Sequence, residues 1–133
     1  MSLRQLGKGR PHILIVEDEA VIAMDIRMTL ESLGFAVLGV ASTGEDCLRK
    51  TEALRPDLVL MDINLKGDMD GIRAAREIFR LYRIPIVYLT ASSDDRTIVH
   101  TSPFACLFKP FDAMDLGAAI WKHVAGAPGQ VTA

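Results

Sequence analysis

Five short apolar runs punctuate the chain, and a polar or turn-forming stretch follows each. They are His12 to Val16, Phe35 to Ala41, Leu58 to Met61, Pro85 to Leu89 and Phe104 to Phe108. None alternates cleanly between apolar and polar residues, which suits strands buried on both faces, as in a parallel sheet. Between them the apolar residues recur at helical spacing. Ile22, Ile26, Leu30 and Leu33 make one stripe, predicting a helix over about Glu19 to Ser32 that Gly34 stops. Thr43-Gly44-Glu45-Asp46 has the form of a capping box. It opens a second helix that ends before Pro56, because proline disfavours helical geometry at Arg55. Ile72, Ala75, Phe79 and Tyr82 stripe a third helix over about Asp70 to Tyr82. Ser92 to His100 has room only for a short helix. Asp112 is placed to cap a last helix from Ala113 to about Val124, with Leu116, Ile120 and Val124 on one face. Strands alternating with helices predict a doubly wound five-stranded parallel sheet in the order 2-1-3-4-5.

Composition narrows the picture. The chain has 133 residues, half of them hydrophobic, enough for one globular domain with its own core. Residues 1–11 read as a basic N-terminal tail, 12–125 as the domain, and 126–133 as a C-terminal tail or truncated linker. A formal net charge of −2 gives no electrostatic footing for direct nucleic-acid binding. No apolar run approaches the ~18 residues that span a bilayer, so no membrane association is expected. The start, Met1 to Arg10, lacks the apolar segment of a secretory signal. Cys47 and Cys106 are too few and too far apart for a disulfide framework or zinc site. A reducing, cytoplasmic location is the simplest reading.

Candidate chemistry gathers where the strands end. The first strand runs into Glu17-Asp18-Glu19 and the third ends in Asp62. In the predicted order these two strands are neighbours at the topological switch point, the place where open parallel sheets bind ligands. Converging carboxylates repel one another and raise each other's pKa. A hard divalent cation relieves that, and oxygen ligands of this kind suit Mg2+. The fourth strand ends in Thr90 and the fifth in Lys109, so both can join the same pocket. Such a set serves phosphoryl transfer to a carboxylate, with Asp62 as the nucleophile that forms an aspartyl phosphate and Thr90 and Lys109 holding phosphoryl oxygens.

The sequence resembles the receiver domain of bacterial two-component response regulators, a flavodoxin-like architecture. The segments that carry the resemblance are Ile15-Val16-Glu17-Asp18-Glu19, Leu60-Met61-Asp62-Ile63, Met69-Asp70-Gly71, Leu89-Thr90-Ala91 and Lys109-Pro110-Phe111, in order over about residues 12–125. The resemblance implies Asp62 as phospho-acceptor and Asp18 as a direct Mg2+ ligand. Glu17 would hold the metal through water, and Asn64 would offer its backbone carbonyl. Thr90 and Lys109 would bind the phosphoryl group, and the Lys109–Pro110 peptide is expected to be cis. The phosphodonor would be a histidine kinase or a phosphotransfer protein. The domain would catalyse its own phosphotransfer and dephosphorylation, and would change the surface it shows to an output partner. No effector domain follows residue 125 in this sequence, so a single-domain regulator and a receiver cut from a larger protein both stay open.

Two departures from the family pattern fall on its usual output face. Cys106 stands three positions before the lysine, where the family usually has an aromatic residue. The interval from Thr90 to Lys109 is also about one helical turn short, which leaves little room for a full helix between Ser92 and Pro103. Cys106 reads as a small core residue rather than a redox sensor. Trp121, Met24 and Met28 read as helix packing, and His12, His100 and His123 are too scattered to form a ligand set. The rival reading is a Mg2+-dependent phosphatase with an aspartyl nucleophile. Such sites commonly carry a second acid two residues after the nucleophile, and Asn64 in that position argues against it.

Overall fold

The computed structural model describes residues 9–63, 65, 71–90 and 105–125. Its elements run β1 (His12–Val16), α1 (Ala20–Ser32), β2 (Ala36–Ala41), α2 (Gly44–Leu54), β3 (Leu58–Asp62), α3 (Gly71–Tyr82), β4 (Ile86–Thr90), β5 (Ala105–Phe108) and α4 (Ala113–Ala125). The sheet order is β2-β1-β3-β4-β5, with every described pairing parallel. The doubly wound fold is therefore the one the apolar runs predict. The short helix expected within 92–100 lies outside the described residues, as do both chain tails up to residue 8 and beyond 125.

Each central strand splits its side chains between two cores, because successive residues point to opposite faces. Leu14, Val16, Val59, Met61, Ile86 and Tyr88 pack on one side with Ala74, Ala75 and Ile78 of α3 and Cys47 of α2. Ile13, Ile15, Leu58, Leu60, Val87 and Leu89 pack on the other with Ile26 and Leu30 of α1 and Leu116 and Ile120 of α4. This two-sided burial explains the unbroken apolar runs. β5 sits at the sheet edge and is only half-buried, ending in an exposed Phe108.

Helix ends follow local chemistry closely. The Thr43 hydroxyl accepts from the Asp46 amide at 3.0 Å, the predicted N-cap of α2. The other half of the capping box is used differently, since the Asp46 carboxylate pairs with Arg49 at 2.7 Å and Lys50 at 3.0 Å. Arg55 ends α2 in the left-handed region with φ 48°. Pro56 makes right-handed helical geometry unfavourable there. At α4 the cap is reciprocal. The Asp115 amide donates to Asp112 Oδ1 at 2.8 Å, and the Asp112 amide donates to Asp115 Oδ2 at 3.3 Å. At the base of the sheet the His12 amide donates to Asp57 Oδ2 and the Asp57 amide to the His12 carbonyl, each at 2.7 Å. That pair sets the register of β1 and β3.

Three expectations about helix faces are corrected. On α3 the fully buried positions are Ala74, Ala75 and Ile78. Ile72, Phe79 and Tyr82 are only half-buried, because two alanines let the helix lie close to the sheet and push the large side chains to its flanks. Leu33 falls past the end of α1 as its C-cap and is partly exposed. Met24 and Met28 are 57% and 62% exposed, and with Val21 at 82% they form an outward apolar ridge on α1 instead of packing inward. Trp121 does pack, its ring tilted 43° against Phe35 with centroids 5.5 Å apart, although half of it stays exposed.

Two substitutions separate local from core contributions. Thr43→Ala removes one helix cap and is expected to lower stability by about 1 kcal/mol. Leu60→Ala opens a cavity at the fully buried centre of β3 and is expected to lower it by about 2–5 kcal/mol. Urea unfolding of both variants checks this, and equal losses would contradict the packing described.

Candidate functional site

β1 and β3 end side by side, so the residues that follow them meet at one sheet edge. The Val16–Met61 register places Glu17, Asp18 and Asp62 together. One oxygen from each carboxylate lies within 4.8 Å of the others. Glu17 and Asp62 are buried, at 3% and 8% exposure, and Asp18 is half-buried. The backbone holds this arrangement from several sides. The Glu17 amide donates to the Ala41 carbonyl at 2.9 Å, tying the exit of β1 to the end of β2. The Ile63 amide donates to the Leu89 carbonyl and the Gly71 amide to the Ile63 carbonyl, both at 3.3 Å, so β4 and α3 clamp the exit of β3.

Thr90 and Lys109 arrive from the next two strands. Thr90 is fully buried at the end of β4, and its carbonyl accepts from the Lys109 amide at 2.8 Å. The Lys109–Pro110 peptide is cis, as expected. The Lys109 ammonium reaches in to lie 3.8 Å from Glu17 Oε1. Cys106 pairs with Tyr88 in the β4–β5 ladder and packs half-buried against the α3-side core, which fits a small packing residue. Asn64, Met69 and Asp70 lie outside the described residues.

The electrostatics single out Glu17. Burial is the largest cause pushing its carboxyl from the ordinary 4.5 up to about 7. The Glu19 amide, which donates to Glu17 Oε2 at 3.1 Å, opposes that shift. Asp62 repels the ionised form, Lys109 offsets that, and Asp18 adds to the rise. Desolvation thus outweighs the mutual repulsion expected from the sequence. Among the described residues Glu17 Oε1 is buried without a hydrogen-bond partner. A buried carboxylate oxygen in that condition is costly, and a hard cation between the three carboxylates would relieve it. The donor set therefore fits Mg2+ or a similar oxygen-seeking ion.

Beyond the acids, a groove of about 330 Å³ runs between α1 and the β5–α4 connection. Ile22, Ile26, Lys109, Pro110, Phe111 and Leu116 line it. Lys109 thus borders both the groove and the carboxylates. The other cysteine has no part in this chemistry. Cys47 is fully buried in α2, and burial pushes its thiol up to about 12.

A testable pH dependence follows from Glu17. Its raised pKa means that the folded state holds a proton more tightly than the unfolded chain. The resulting stabilisation is complete below pH 4.5 and is lost as pH rises through about 7. Metal-free stability is expected to fall across that window by up to ~1 kcal/mol per pH unit. Glu17→Gln mimics the neutral carboxyl and should remove that part of the slope. Urea unfolding in a chelator at pH 5 and pH 8 measures it, and identical pH dependence in both proteins would refute the assignment.

Comparison with known proteins agrees with this geometry. The family model of the response regulator receiver domain matches residues 13–121. The chain is 41% identical over 112 residues to the transcriptional regulatory protein PdtaR of Mycobacterium tuberculosis, covering 81% of this chain and 54% of that protein. It is 34% identical over 110 residues to the phyllosphere-induced regulator PhyR of Methylorubrum extorquens, covering 81% and 41%. The chain therefore spans about half the length of these curated relatives. Among solved structures, the receiver domain of a modulated diguanylate cyclase from Desulfovibrio desulfuricans superposes with a TM-score of 0.81 at 38% identity, covering 88% of this chain and 95% of that one. With the family matched over nearly the whole described fold, and the acids and lysine at the sheet edge where its segments place them, this chain belongs to the response regulator receiver domain family.

Proposed function

We propose that this receiver domain, residues 12–125, accepts a phosphoryl group on Asp62, with Mg2+ held by Glu17, Asp18, Asp62 and the Asn64 backbone carbonyl. The observation that carries the reading is the convergence of three carboxylates within 4.8 Å, one of them a buried acid whose oxygen has no hydrogen-bond partner among the described residues. When bound, Mg2+ would neutralise charge on the phosphoryl oxygens. The remaining roles belong to the chain. An Asp62 carboxylate oxygen attacks phosphorus, the bond from phosphorus to the donor breaks, and the donor leaves with that electron pair, giving a mixed anhydride. Lys109, already 3.8 Å from Glu17, offers its ammonium to a phosphoryl oxygen, and Thr90 offers its hydroxyl to another. Hydrolysis of the anhydride by water resets the site.

The donor in this reading is a histidine kinase or a phosphotransfer protein. Support comes from the apolar ridge of Val21, Met24 and Met28 on α1 and the groove that Lys109 shares with the site. A protein that must bring a phosphohistidine to Asp62 has apolar surface to dock on, on α1 and in the groove that Lys109 borders. A cytoplasmic location is part of this reading: neither cysteine forms a disulfide. No helix among the described residues is long and apolar enough to cross a membrane.

Incubation with acetyl phosphate and Mg2+, followed by intact-mass measurement, tests the assignment. One added phosphoryl group is expected on the native protein and none on Asp62→Asn or in the presence of a chelator. Undiminished labelling of Asp62→Asn would move the acceptor elsewhere. Steady release of inorganic phosphate with no labelled protein would favour the phosphatase. Lys109→Ala should still fold and take up the label, while phosphorylation should no longer alter its hydrogen-exchange pattern. A response matching that of the native protein would remove Lys109 from the coupling.

A further inference from the structure

We propose that Gly71 is a positioning residue for the acidic site: its bare backbone lets α3 seat directly on the peptide that carries Asp62. This rests on the phospho-acceptor reading above and names a residue that acts through Asp62 and Ile63.

Gly71 is the first residue of α3 and is buried. A Cβ built there would run into the Asp62 carbonyl oxygen, and would lie only 3.1 Å from both Cα and the carbonyl oxygen of Ile63. All three obstacles are backbone atoms, so no side-chain rotation can make room. The same residue donates its amide to the Ile63 carbonyl at 3.3 Å. Ile63 in turn donates to Leu89 on β4. The backbone leaving β3 is thus pinned between a strand and a helix start, directly after the proposed nucleophile.

Any side chain at position 71 must move one of two bodies. α3 cannot retreat freely, because Ala74, Ala75 and Ile78 are fully buried in the core with Val59 and Met61. Part of the displacement therefore falls on the Asp62–Ile63 backbone, which moves the Asp62 carboxylate relative to Glu17 and Asp18. Carboxylates 4.8 Å apart or less leave little tolerance for such a shift, since small displacements of ligand-bearing groups weaken a metal site. Gly117 supplies an internal control. It too is a buried helical glycine, but a Cβ there would meet only the Leu33 side chain, Cδ1 at 3.5 Å and Cδ2 at 3.9 Å, ordinary contacts with a flexible group.

The test compares Gly71→Ala, Gly117→Ala and the native protein by Mg2+ titration calorimetry on folded samples and by labelling rate with acetyl phosphate. Gly71→Ala is expected to weaken Mg2+ binding by about tenfold and to slow labelling, with its far-ultraviolet circular dichroism unchanged. Gly117→Ala should match the native protein in both measurements. A folded Gly71→Ala that binds Mg2+ and labels like the native protein overturns the proposal. If that variant does not fold in buffer, the same measurements are made on all three proteins in trimethylamine N-oxide, which favours compact states. Failure to fold there as well would make Gly71 a residue of the fold alone and also overturn the proposal. A native protein that never takes up the label refutes the phospho-acceptor reading itself, which separates the two failures.

Discussion

Three carboxylates held within 4.8 Å of one another at a sheet edge are the constraint on which the rest of this structure turns. Like charges so close do not gather without compensation. The protein supplies part of it. An amide from Glu19 caps one oxygen of Glu17, and the Lys109 ammonium stands 3.8 Å from the other. Burial leads the causes that raise the Glu17 pKa to about 7, and repulsion from Asp62 adds to it. A hard cation among the three carboxylates would offset that rise.

Rigidity at the site comes from the elements behind it. β1 and β3 are buried on both faces, and their ends are tied to β2, β4 and α3 by backbone hydrogen bonds of 2.9 to 3.3 Å. The small residues of α3 belong to the same design. Ala74 and Ala75 bring the helix close to the sheet, and Gly71 lets its first turn touch the Asp62–Ile63 backbone. Close approach here is a property of side chains that are missing, so the buried row of Gly71, Ala74, Ala75 and Ile78 is offset from the row of large side chains.

The edge of the sheet beyond β4 is built to a different standard. β4 is fully buried, but β5 is half-buried and ends exposed. The ladder there pairs Cys106 with Tyr88, so the bulky buried aromatic lies on β4 beside the position where related receivers usually carry one on β5. Lys109 nevertheless reaches the acids, because its amide is fixed to the Thr90 carbonyl at 2.8 Å. The backbone of Lys109 is thus tied to β4, and not to the residue three positions earlier.

The sequence by itself determined the parallel sheet, its strand order, and the acids and lysine that meet at its edge. Continuous apolar runs can be buried only between two layers, and residues at the ends of neighbouring parallel strands have to converge. Caps at Thr43 and Asp112 were also legible, because capping is a contact among residues close in sequence. Tertiary structure decided what depends on distance and depth. Leu33, Met24 and Met28 look like core in a periodic pattern, but their exposure is set by where the helix ends and which flank meets the sheet. The dominance of burial over repulsion at Glu17, the choice of Glu17 as a partner of Lys109, and the fit of Gly71 against the β3 exit all arise between residues far apart in the chain. No local pattern encodes such contacts, because they exist only once the strands and helices have packed.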